Sequence, residues 1–200
     1  MAPSRQTYLG YLERKNSQRR PRKAKGYATY NPVLPNASPC TVLGIDTASK
    51  SGWAIRRQGR LIASGELDTL EAEAIRWVFN RALRAAAEGE TALVVILEEP
   101  YGGTRKVLMA LGAARDRWLL AARELGIAKR RILSVMPNKW RAPLFGRTRA
   151  RRDQIRALEM AAALAETGLA YVGPDEAAAI GISRWGAHAA EVARIVSKRR

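Results

Sequence analysis

The stretch Thr41–Ile55, TVLGIDTASKSGWAI, decides how the rest of the chain is read. Val42, Leu43 and Ile45 form a short apolar run that reads as a buried strand. Asp46 ends that run with a carboxylate. Thr47, Ala48, Ser49 and Ser51 follow, Gly52 reads as the turn, and Trp53–Ile55 begins a second strand. A carboxylate between a buried strand and a tight turn is costly to bury unless it is paired or binds a metal. Taken alone, Asp46 also fits an Asx-turn in a hairpin. Two other stretches change the weighting. VVILEEP (Val94–Pro100) carries Glu98 and Glu99 at the end of another apolar run, and GPDEAAAIGI opens a late helix with Asp175. Three carboxylates from three separate elements point to one divalent-cation site.

Outward from that stretch, the pattern predicts strands at Thr41–Asp46, Gly52–Arg57 and Arg60–Leu67, with Gln58-Gly59 as a hairpin turn. Asp68–Ala87 reads as a helix capped by Asp68, with Leu70, Ala74, Trp77, Val78 and Ala82 on its apolar face. Thr91–Glu98 is apolar at nearly every position, as in a strand covered on both faces. A glycine loop at Tyr101–Gly103 leads to a helix at Thr104–Leu125, stopped by Gly126. A fifth strand is expected at Arg131–Met136 and an irregular basic loop at Pro137–Ala150. Helices at Arg151–Thr167 and Pro174–Ser197 complete the chain. Hairpin-linked strands followed by alternating strands and helices imply an α/β fold: a five-stranded mixed sheet with helices on both faces. The first and fourth strands would lie side by side, bringing Asp46 and Glu98 together.

The 200 residues suit one domain plus an extension, and 47% hydrophobic residues can build a core. A net charge of +17 attracts polyanions, nucleic acid first. The basic stretches lack the aromatic and leucine face of a membrane-lying helix, and no apolar run is long enough to span a bilayer. The lone Cys40 can form neither an internal disulfide nor a zinc cluster, and Arg5 and Tyr8 interrupt any export signal. An intracellular, cytoplasmic protein is expected. Residues 1–38 read as a basic extension, flexible when free, ahead of a domain at 39–200. Within it Arg19, Arg20, Arg22, Lys23 and Lys25 form a block suited to lie along phosphates.

The blocks GIDTASKSGWAI, VVILEEPYGG, VMPNKWRAPLFG and GPDEAAAIGI resemble those of RuvC-like Holliday junction resolvases, members of the RNase H-like (retroviral integrase) superfamily. The resemblance covers roughly 41–197. The Pro137-x-x-Trp140-Arg141 block looks closer to phage and mobile-element members, which would place the protein in a host cytoplasm. The resemblance implies a structure-specific endonuclease, a hydrolase of DNA recombination and repair. It implies a homodimer acting on four-way or other branched DNA, with Mg²⁺, for which Mn²⁺ can substitute. The family's first aspartate falls on Asp46, its glutamate on Glu98 with Glu99 as the adjacent alternative, and the first acid of its last helix on Asp175. Its second acid there falls on Ala178. Three explanations stand open: an inactivated variant made to trap DNA, substitution by Glu176, or a natural binder that has lost cleavage. One residue along a helix turns a side chain by about 100°, which disfavours Glu176.

Two Mg²⁺ ions about 3.5–4 Å apart can activate water and stabilise a leaving oxygen at a phosphodiester. On this expectation Asp46 bridges both, Glu98 holds one and Asp175 the other. Arg151 or Arg152 is the candidate for transition-state charge stabilisation, or for plain phosphate contact. Arg105 and Lys106 at a helix N-terminus, with Lys139, Arg141, Arg147 and Arg149, are expected phosphate contacts. Trp53, Tyr101 and Trp140 are candidates for stacking on an unpaired base, Tyr101 foremost. His188 reads as structural. The face of Leu108, Ala110, Leu111, Ala113, Ala114 and Trp118 is either a dimer surface or packed on the sheet. A sugar-kinase or actin-type ATPase also begins GxD near a hairpin, but needs a second phosphate loop and a longer chain. A non-catalytic branched-DNA binder, or a nuclease acting on RNA–DNA hybrids, remains as an alternative.

Overall fold

A computed structural model describes residues 38–146 and 151–197. The strands are β1 (Cys40–Asp46), β2 (Lys50–Arg57), β3 (Arg60–Asp68), β4 (Ala92–Glu98) and β5 (Ile132–Val135). They form one sheet in the order β3-β2-β1-β4-β5. The β1–β2 and β2–β3 pairs are antiparallel, whereas β1–β4 and β4–β5 are parallel. Gln58 and Gly59 both take positive φ at the β2–β3 hairpin, as a type I′ turn requires. The helices are α1 (Ala72–Glu88), α2 (Arg105–Glu124), α3 (Pro137–Phe145), α4 (Arg152–Thr167), α5 (Pro174–His188) and α6 (Ala190–Ser197).

Alternation along the central strands divides two cores. Leu43, Ile45, Val95 and Leu97 pack with Ile75, Val78 and Phe79 of α1 and Trp118 of α2. Val42, Val94 and Ile96 point the other way, toward Trp140 of α3 and Ile182 and Trp185 of α5. Cys40 is buried in this second core, and burial pushes its thiol up to about 11, leaving it inert. No helix among the described residues is long and apolar enough to cross a membrane.

Four expectations need correction. Pro137–Phe145 is a helix rather than an irregular loop: Pro137 suits its first turn, and Trp140 and Leu144, four residues apart, bury one stripe. Helix α1 starts at Ala72, not Asp68. Asp68 ends β3, and its side chain accepts a 2.9 Å hydrogen bond from the Leu70 N–H. Leu70 and Trp77 are exposed; the buried face is Ile75, Val78, Phe79, Ala82, Ala85 and Ala86. The last helix breaks at Ala189, whose ψ of 135° is extended. Finally, Gly52 does not turn the chain. It sits inside β2, paired with Asp46, where an added Cβ would run into the Asp175 backbone.

Candidate active site

Ile45 lies opposite Leu97 in the parallel β1–β4 ladder, so the next residue of each strand, Asp46 and Glu98, emerges at the same edge. Both keep the parity of Val42, Val94 and Ile96 and leave the sheet on the α5 face. Thr47 Oγ1 donates to the Glu98 carbonyl at 2.9 Å, tying the two strand ends together. Ser51 Oγ donates to the Ala48 carbonyl at 2.9 Å and accepts from Trp118 Nε1 at 3.1 Å, fixing the loop after Asp46.

Asp175 arrives from above. Gly52 lets the first turn of α5 press onto β2, and Glu66 of β3 receives it, accepting from the Glu176 N–H at 3.3 Å. Lys50 pairs with Glu66, and Ser64 Oγ donates to Glu176 Oε1 at 2.6 Å. Partial burial alone pushes the Glu66 carboxyl up. The Lys50 ammonium and the α5 N–H groups outweigh it and hold Glu66 below its usual range. The N-terminus of α5 is thus pinned by carboxylate and hydroxyl groups from a neighbouring strand.

Asp46, Glu98 and Asp175 line one cleft of about 430 Å³, together with Glu159, Arg141, Arg152, Arg156, Tyr101 and Ala178. Burial pushes the Asp46 carboxyl well above its ordinary range, and the neighbouring Glu98 and Asp175 carboxylates push it further. Glu98 follows Leu97 as Asp46 follows Ile45, so it is the glutamate beside Asp46 at the sheet edge, and Glu99 also lines the cleft. Asp175 is raised too, by burial and then by Glu66. Glu98 Oε1 accepts a 2.8 Å hydrogen bond from the buried Trp140 Nε1.

The basic candidates divide. Arg152 lies on the cleft with an exposed side chain, whereas Arg151 precedes α4 and its N–H donates to Gln154 Oε1 at 3.1 Å. Arg105 and Lys106 are exposed in the first turn of α2, capped by Thr104. Lys139 pairs with Glu191 at 2.7 Å. Arg141 is not a free cation, because its Nε donates to Glu159 Oε1 at 2.6 Å. Arg147, Arg149 and the Arg19, Arg20, Arg22, Lys23 and Lys25 block lie outside the described residues. Tyr101 is exposed at the rim, while Trp53 and Trp140 are buried and unable to stack on a base. Ala114 and Trp118 pack into the core; Leu108 and Ala110 stay exposed. His188 is partly buried at the end of α5.

Sequence reasoning missed Arg156 and Glu159. Their spacing from Arg152, four and seven residues, places all three on one face of α4. Burial pushes the Glu159 carboxyl up, and the Arg141 guanidinium works against that rise.

Among the described residues, no three carboxylate, imidazole or thiol groups stand close enough to form a ready-made metal cage. Mg²⁺ needs none: it is usually bound through one or two carboxylates, waters and substrate phosphates. Asp46 and Glu98 end neighbouring strands at one cleft as hard oxygen donors, and a cation would relieve the repulsion that helps raise Asp46. They fit such an ion, with Asp175 at the same cleft.

No family model and no curated protein sequence matches the chain. Solved structures do. Thermus thermophilus RuvC in complex with Holliday junction substrate aligns over 74% of this chain and 93% of that one, with TM-score 0.53 and 19% identity. A second Thermus thermophilus RuvC structure gives TM-score 0.52 at 19% identity, with the same coverage. The yeast mitochondrial Holliday junction resolvase Ydc2 gives 0.42 at 14% identity, over 83% of this chain and 87% of that one. The order of strands, the acidic strand ends and the two RuvC alignments agree on one architecture: the chain has the RNase H-like fold of RuvC.

Proposed function

We propose that this chain is a metal-dependent endodeoxyribonuclease that resolves four-way (Holliday) junctions. The observation that supports this most is that Asp46, Glu98 and Asp175, from three distant elements, line one cleft rimmed by Arg152 and Arg156. Asp46 and Glu98 would hold the divalent cation, Mg²⁺ or in its place Mn²⁺. When bound, such an ion supplies Lewis-acid activation of water and charge neutralisation at the phosphodiester.

The chain's own residues do the rest. Trp140 fixes the Glu98 carboxylate from beneath through its indole N–H. Asp175, anchored by Glu66 at the start of α5, offers an acceptor for a proton of the attacking water. Arg152 and Arg156 face the incoming phosphate, and Arg152 takes the developing negative charge. Tyr101, exposed at the rim, presents a ring to an unpaired base at the branch point. Hydrolysis joins a water oxygen to phosphorus, breaks one bridging P–O bond and releases a sugar hydroxyl. Two symmetric cuts need two clefts, so the working form is a homodimer. The basic extension at 1–38 adds sequence-independent grip on DNA, in an intracellular setting. A second reading, a non-catalytic binder of branched DNA, draws on the methyl group of Ala178 in the cleft wall.

The test is a substrate panel: four-way junction, flap, RNA–DNA hybrid and linear duplex, each with Mg²⁺ and with chelator. Symmetric nicks in the junction, lost with chelator, are expected. Tight junction binding without nicking, by both the chain and Ala178→Asp, would replace the nuclease with the binder. Ala178→Asp gaining cleavage over the unaltered chain would mark Ala178 as the inactivating residue.

A further inference from the structure

Arg141 is placed unlike any other cation at the cleft. Its Nε donates to Glu159 Oε1 at 2.6 Å, and its Nη2 lies 3.7 Å from Glu98 Oε1. The guanidinium also sits over the Trp140 ring, 4.7 Å from the centroid, and Trp140 in turn donates to the same Glu98 oxygen. Glu159 is only 3% exposed. A glutamate buried that far from solvent is held by its partner, and here the partner is Arg141. Indole, guanidinium and buried carboxylate therefore form a rigid set whose positive group is fixed beside Glu98.

We propose that Arg141 is a built-in cation of the cleft, supplying beside Glu98 the positive charge that a second metal ion would otherwise bring, so that the cleft takes a single divalent ion. The inference rests on the nuclease reading of this cleft. Charge supports it. Asp46, Glu98, Glu99, Glu159 and Asp175 line the cleft with five negative charges when ionised, and Arg141, Arg152 and Arg156 return three. One divalent ion neutralises the set. A second would carry it to plus two, next to a guanidinium that repels it at short range. Ligand supply agrees. Asp46 and Glu98 end adjacent strands at the cleft, no described trio forms a cage, and Ala178 offers a methyl group at the wall. Glu159 is already engaged by Arg141.

The experiment is Mn²⁺ binding to the full-length chain, by isothermal titration and by electron paramagnetic resonance, with and without an uncleavable four-way junction. One ion per chain is expected. Arg141→Gln should bind Mn²⁺ about 10-fold more tightly, since the fixed repulsion is gone, and Arg141→Lys should return to the unaltered affinity. Two ions per chain would overturn the inference and leave the nuclease reading standing. So would unchanged Mn²⁺ affinity in Arg141→Gln with only DNA binding weakened, because Arg141 would then be a phosphate contact. No Mn²⁺ bound under either condition would overturn both. The stoichiometry is read on the unaltered chain, so it decides even where a variant fails to fold.

Discussion

Two glutamates of α4, Glu166 and Glu159, each grip an arginine, and the two pairs serve different ends. Arg56 leaves β2 with only 3% of its side chain exposed and pairs with Glu166 at 2.5 Å. It also donates to the Gly59 carbonyl at 2.8 Å and faces Ser183 Oγ at 3.4 Å. That pair closes on itself, one charge against one. Arg141 is divided between Glu159 and Glu98, and Glu98 shares its cleft with Asp46. This second pair sits inside a surplus of negative charge. Seven residues of one helix separate a joint that holds the fold from a joint that shapes the cleft.

The largest expected effect breaks the first pair. Arg56→Ala leaves Glu166 without its partner and should cost about 3 kcal/mol in urea unfolding, with Mn²⁺ affinity unchanged. A parallel loss of metal binding would erase the distinction between the two joints. Next, Asp46→Asn should lower junction cleavage by about 10²–10³-fold while the circular dichroism spectrum stays the same. Trp140→Phe keeps the ring and removes the N–H to Glu98. Cleavage should fall about 10–100-fold, with the unfolding midpoint little moved.

The smallest effect is on stability, and its direction is diagnostic. Burial and mutual repulsion raise the Asp46 carboxyl, and Asp175 and Glu159 are raised with it. Between the ordinary carboxylate range and those raised values, the folded chain binds more protons than the unfolded one. Stability contributed by these groups is therefore full at low pH and lost as pH rises through that window. Glu66 and Glu191, held low, act oppositely, but at pH below the ordinary range. In chelator, the melting temperature should fall as pH rises from about 4 toward neutrality. Mg²⁺ should restore it, and Asp46→Asn should gain about 1–2 kcal/mol without metal. A flat profile in chelator would mean the carboxylates do not oppose one another.

Much of this was legible in the chain. Continuous apolar runs at Val42–Ile45 and Val94–Leu97 announce central strands, and period-two parity then puts Asp46 and Glu98 on one face. The helix at Pro137–Phe145 was not legible. Pro143 and three basic or amide residues mask a stripe of only Trp140 and Leu144. Arg141 read as a phosphate contact because net charge says nothing of which cation a buried carboxylate has captured. Glu159, 18 residues further along, becomes its partner only when α4 packs against α5. Gly52 read as a turn because close approach by a distant helix leaves no local trace.

The most direct test is anomalous scattering from crystals of the unaltered chain soaked in Mn²⁺. The account predicts one peak bonded to both the Asp46 and Glu98 carboxylates, on the side facing Asp175. A cleft without a peak, or a peak bonded to neither residue, would contradict it.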